Sequence, residues 1–244
     1  MPVEIVEVMR RSTQGMTRPY ICRGDDGHVY FVKGVGAGRR SQLCEWIAGS
    51  LALEIGLPVA PFEIVHVPDE LIELEAGLDL GDLGIGPAFA SRECGVSELS
   101  FSRVKDVPSE LQQQVLAFDW WIHNADRILT ARGGNPNLFW DEGAGELVVI
   151  DHNQAFDQAF DPHDFLAHHV FRAQAATIHH DWLRRHELAD AMIAALQHWD
   201  SILEQIPEEW WYLDEELITR VDFDHEAIRQ GLAQVNRDEF WGWQ

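Results

Sequence analysis

DWWIHNADRILTARGGNPNLFWDEGAGELVVIDHNQAF, residues 119–156, reads as the end of a helix, then a polar loop, then a hairpin. The helix comes first: Leu111, Val115, Phe118 and Ile122 line one face, Ser109 is positioned to cap it and Pro108 precedes the cap. His123–Pro136 is polar and carries the loop. Asn137–Asp141 pairs naturally with Glu146–Asp151 across Glu142-Gly143-Ala144-Gly145. A hairpin brings its ends together, so Asn137 and Asp151 are expected to be neighbours, and Asp126 enters the same corner through the loop. Asn135 competes with Asn137 for that place.

An amide oxygen and a carboxylate in one corner suit a hard cation such as magnesium, which takes oxygen ligands and leaves room for phosphates. A further carboxylate nearby, Asp126, can orient or deprotonate a hydroxyl nucleophile.

Upstream, Val3–Val8 reads as a strand and Ser12-Thr13-Gln14-Gly15 as a polar turn. Arg18–Arg23 and His28–Lys33 read as two strands around Asp25-Asp26-Gly27. Val29, Phe31 and Lys33 share one face, Tyr30 and Val32 the other. A glycine-rich stretch, Gly34–Gly38, follows. Residues 41–55 form a helix in which Leu43, Ile47, Leu51 and Ile55 recur at i+4, with Gly56 and Pro58 ending it. Glu45 shares a face of that helix with Ala48 and Ala52 and can point inward. Pro61–Val67 and Gly86–Arg92 are further strands; residues 69–84 fit no single element. From about residue 163 the pattern is mainly helical, best in Leu183–Ile206 and Asp224–Val235. The fold class is α+β, with a strand-rich N-terminal part followed by a helical C-terminal part.

The composition bounds what such a site can serve. The chain has 244 residues, enough for one large domain or two lobes sharing a cleft. Its formal charge of −23 disfavours nonspecific binding to nucleic acid or anionic membrane, both polyanions. Residues 1–132 balance to −7 and residues 133–244 to −16. Only Lys33 and Lys105 are lysines, so each is worth locating. Cys22, Cys44 and Cys94 match no zinc or redox spacing, which with the absence of a signal pattern points to a reduced, cytoplasmic setting. No apolar run approaches the roughly 20 residues that span a bilayer.

The order strand-Lys33, helix-Glu45, loop-Asp126, Asn137-hairpin-Asp151 resembles the protein-kinase-like fold. The wording is similar to that of the HipA-like kinases, a bacterial family related to the toxin kinases of toxin–antitoxin systems. The similar phrases are FVKG at 31–34, CEWIAGSLALEIGLPVAP at 44–61, DWWIHNADR at 119–127, NPNLFW at 135–140 and LVVIDHNQAF at 147–156. The resemblance covers roughly residues 10–165. It implies a two-lobed fold, with a β-rich N-lobe over 1–92 that contains one helix and a mainly helical C-lobe over 93–244. It also implies an ATP- and magnesium-dependent transfer of phosphate to a hydroxyl acceptor, a serine or threonine of a protein. By position, Asp126 would orient the hydroxyl, Asn137 and Asp151 would hold magnesium, Lys33 would contact the phosphates and Glu45 would brace Lys33. Ser12–Thr17, with Ser12, Thr13 and Gly15, would lie at the phosphate loop. Ala88–Arg92, with Phe89 and Ala90, would be the hinge that meets the adenine.

The sequence departs from the family pattern in places. The Ser12–Thr17 turn has one glycine. Ten residues separate Asp126 from Asn137, where many kinases have four, and His152 follows Asp151 in place of DFG wording. These departures keep a nucleotide-binding pseudokinase in view. The DR…NPNL wording keeps a small-molecule or lipid kinase in view. Arg127 reads as a structural clamp on the loop. The histidines, including His163, His168, His169, His179 and His180, read as exposed or capping residues. Trp241 and Trp243 are expected to dock on the helical part or on a partner.

Overall fold

The computed structural model describes residues 2–13, 17–74 and 80–243. Contacts divide the chain into two units, neither continuous in sequence. One comprises residues 1–46, 60–95 and 206–222; the other comprises 47–59, 96–205 and 223–244.

The first unit is built on a five-stranded antiparallel sheet in the order β1-β2-β3-β5-β4. Its strands are β1 (Ile5–Arg11), β2 (Tyr20–Gly24), β3 (Val29–Lys33), β4 (Phe62–Val67) and β5 (Gly86–Arg92). Alternation decides the faces. Tyr30 and Val32 of β3 join Ile5, Val8, Tyr20, Cys22, Val65, Val67, Ala88 and Ala90 in one core. The β2–β3 turn is set by Asp26, whose Oδ1 accepts from the His28 N–H at 3.0 Å, and by Gly27 at φ +84°. Helix α1 (Arg39–Glu54) follows β3. Its stop at Gly56, φ +79°, is made by the Leu57 N–H donating to the Ala52 carbonyl at 2.9 Å. The short helix α2 (Asp69–Leu74) opens the 69–84 stretch that periodicity leaves unassigned.

The second unit holds helix α3 (Ser109–Trp121) and two small sheets. Strands β6 (Ser97–Glu98), β9 (Leu138–Asp141) and β10 (Glu146–Val149) form one, in the order β10-β9-β6. Strands β7 (Ile128–Thr130) and β8 (Gly133–Asn135) form the other. The expected hairpin is thus present, with Leu138 opposite Val149. Helices α4 (Pro162–His168), α5 (Ala175–His180), α6 (Trp182–Leu196), α7 (Trp199–Leu203) and α8 (His225–Leu232) complete the unit. Trp120 sits against Trp243, ring centroids 5.3 Å apart, and Trp121 is buried with its Nε1–H donating to the Leu232 carbonyl. Trp241 and Trp243 therefore dock on their own unit.

Three local expectations need correction. Pro108, not Ser109, occupies the cap of α3, because the fixed proline ring sets the last non-helical residue and Ser109 is already helical. Leu183–Ile206 is two helices, since the chain turns at Gln197 and His198. The polar stretch after α3 is not all loop, because β7 and β8 pair within it, Ile128 opposite Asn135. No described helix is long and apolar enough to cross a membrane.

Candidate functional site

In the first unit, Lys33 ends β3 and is buried, its ammonium paired with the carboxylate of Glu45 on α1, which is 2 % exposed. Two buried charges are tolerable only as a pair. Gln42, one turn earlier on α1, donates through Nε2 to the Lys33 carbonyl at 2.8 Å, and Arg39 donates to Gln42 Oε1 at 2.9 Å. Helix α1 thus grips both the backbone and the side chain of Lys33.

The glycines after Lys33 serve close packing. A Cβ on Gly34 would lie 1.9 Å from the Leu83 carbonyl oxygen, and the N–H of Gly36 donates to the Asp82 carbonyl at 2.7 Å. Ser12 and Thr13 leave β1, and Gly15 lies outside the described residues. The base of that turn is tied by the Ser12 N–H to the Pro19 carbonyl at 2.8 Å and by Arg11 Nε to the Arg18 carbonyl at 3.2 Å. Phe89 and Ala90 are buried in the middle of β5, Phe89 opposite Lys33 and Ile64, Ala90 opposite Val32 and Glu63. Strand pairing on both sides engages their backbone, and the Phe89 ring stacks on Phe62 at 5.6 Å.

In the second unit, Asn137 donates through Nδ2 to Asp126 Oδ2 at 3.0 Å. The expected meeting of loop and hairpin is made by that bond. Asn135 takes a different place: it is exposed in β8, and its Oδ1 accepts from the Asn137 N–H at 3.4 Å. The Ile150 N–H donates to the Asn137 carbonyl at 3.2 Å, which sets Asp151 one residue beyond the hairpin's last bond. Asn137 and Asp151 both have left-handed backbones, φ +50° and +58°. Asn and Asp tolerate that region better than other side chains, and such conformations concentrate where function constrains the chain.

Arg127 organises this corner from below. It is fully buried. Its Nε donates to Asp119 at 2.8 Å, and one terminal nitrogen donates to the carbonyls of Asn137 at 2.7 Å and Ile150 at 2.8 Å. Asp119, in the last turns of α3, also accepts from Asn124 Nδ2 at 2.9 Å and bonds His169 Nε2 at 3.0 Å. Burial alone would raise the Asp119 carboxyl, but the charge of Arg127, aided by His169, holds it below its ordinary value. Burial pushes His169 below the usual imidazole range, and that outweighs the opposing pull of Asp119. His169 is therefore an interior histidine, contrary to the exposed or capping reading.

The clamp reading of Arg127 agrees with these bonds. Gln42, Asp119 and His169 escaped the sequence reading. Asp119 had a visible signal, a carboxylate inside the apolar run Phe118–Ile122. His169 had none, because its partner lies 50 residues away.

No curated protein matches the chain. The sequence model of the HipA-like kinases matches residues 5–244, well beyond the 10–165 span that the motifs suggested. With the lysine–glutamate pair in one unit and the aspartate–asparagine corner in the other, the chain belongs to the HipA-like kinase family.

Proposed function

We propose that this protein is an ATP- and magnesium-dependent kinase with the two-lobed protein-kinase-like fold, N-lobe 1–92 and C-lobe 93–244. It transfers phosphate to a hydroxyl, the serine or threonine of a protein acceptor. Family membership implies kinase-type phosphoryl transfer; the nucleotide, the metal and the acceptor are our reading. The observation that carries it is the Arg127 clamp, which ties the carbonyls of Asn137 and Ile150 together beside Asp126.

The donor set fits the metal. The Asn137 amide oxygen and the Asp151 carboxylate are hard oxygen ligands, and Nδ2 of Asn137 is already committed to Asp126. Magnesium held there would offset phosphate charge that a protein of −23 otherwise repels. Asp126 would accept a hydrogen bond from the acceptor hydroxyl and align it. Lys33 would hold phosphate oxygens as a point charge, with Glu45 keeping it aimed. Phe89 would line the adenine side through its side chain, with Ala90 facing the sheet core behind it, because the backbone of both is engaged in the sheet. Ser12 and Thr13 would approach phosphate through the turn that follows β1. The work is positioning and charge stabilisation.

Magnesium-dependent ATP turnover or autophosphorylation tests the reading. Asp126→Ala and Asp151→Ala are each expected to abolish it while leaving the protein folded. A wild-type protein that neither binds nor hydrolyses ATP with magnesium would sink it. The β7–β8 hairpin between Asp126 and Asn137 favours a second reading, a nucleotide-binding pseudokinase. Stabilisation by ATP without transfer to any acceptor would select that one.

A further inference from the structure

We infer that His169 and Asp119 are positioning residues for the Asn137–Asp151 corner, acting through Arg127. This rests on the kinase reading for its purpose, and on the hydrogen bonds for its existence.

The chain of contacts runs one way. The Phe171 N–H donates to His169 Nδ1 at 3.1 Å, so the neutral ring carries its proton on Nε2. That proton is donated to Asp119 Oδ2 at 3.0 Å. The same oxygen accepts from Arg127 Nε at 2.8 Å, and Arg127 reaches the carbonyls of Asn137 and Ile150. The backbone supports the alignment, since the Val170 N–H donates to the Arg127 carbonyl at 2.9 Å and His169 bridges Ile128. His169, Asp119 and Arg127 are all buried, so none can swap its partner for water. A residue just past α4, far along the chain, thus sets where a guanidinium stands, and the guanidinium sets the spacing of the two proposed metal ligands. This is an outer-layer role of the kind that orients ligands without touching the metal.

The outer contacts also separate two substitutions. Gln at 169 can still present a donor at the reach of Nε2, whereas Leu presents none.

The test compares His169→Gln and His169→Leu in the full chain. The readouts are the magnesium concentration for half-maximal ATP turnover and the KM for ATP at saturating magnesium. His169→Leu is expected to raise the magnesium requirement about tenfold or more, with KM for ATP nearly unchanged, and His169→Gln to recover most of that loss. Asp119→Asn serves if the Leu variant fails to fold, and it should shift the magnesium requirement in the same direction. Amide hydrogen exchange over residues 133–153, measured without nucleotide, is a readout independent of activity. Exchange there should quicken in His169→Leu and return toward wild type in His169→Gln. A wild type inactive toward ATP would overturn the kinase reading, and the exchange result would still decide this one. Unchanged exchange in His169→Leu, an unchanged magnesium requirement, or a Gln variant as impaired as Leu would overturn the inference.

Discussion

Arg127 shows how much one side chain can be asked to do when water is excluded. Its guanidinium satisfies a carboxylate and two carbonyls at once, and a lysine could not reproduce that planar fork. Arg127→Ala would leave Asp119 charged and buried without its main partner, a loss of about 3–5 kcal/mol that urea denaturation would read directly. The same corner sets a pH dependence. His169 titrates below its unfolded value, so the unfolded chain takes up a proton that the folded chain refuses as pH falls below about 6.5. Stability should decline on that limb by at most about 1.4 kcal/mol per pH unit, with His123 adding to it, since burial depresses that ring also. Asp119 works in the other window: its contribution is present above the unfolded carboxylate value and is lost as pH falls through its depressed folded value. Thermal unfolding from about pH 7.5 to about pH 5.5 should show the histidine limb, and His169→Gln should flatten it. The meeting of Asp126 with Asn137 could be read from sequence because a hairpin and its preceding loop are local objects. The layer beneath them could not, because Asp119 meets His169 only after α3 and α4 have packed.

Among the elements, those whose pattern is periodic were readable. The alternation in β3, the i+4 repeat in α1 and the glycine after it each encode their geometry within a few residues. Strands β7 and β8 were not, because Gly133 and Gly134 carry no side chains to alternate, and their pairing is visible only in the backbone. The break between α6 and α7 was hidden for the opposite reason, since helix-forming residues run through it. The link from β3 to α1 offers the sharpest test at this scale. Gly34→Ala would drive a methyl group into the Leu83 carbonyl, and a backbone atom cannot swing aside. The expected cost is about 1–3 kcal/mol, seen as a lower melting temperature. Gly27→Ala is its contrast: it meets no atom within 4 Å and suffers only its positive φ.

The whole molecule is assembled out of sequence order. Residues 206–222 return to the strand-rich unit, where Trp210 is fully buried and its Nε1–H donates to the Pro87 carbonyl of β5 at 3.0 Å. Trp210→Ala should cost about 3–5 kcal/mol, measured by calorimetry, although it lies far in sequence from every strand of that sheet. The consequence reaches into biosynthesis. A nascent chain stalled on the ribosome before residue 206 already holds all five strands, yet lacks the indole that seals one of them. The sheet made first is therefore completed by residues made late, and an N-terminal fragment that stops short of residue 206 is expected to expose the surface that Trp210 covers.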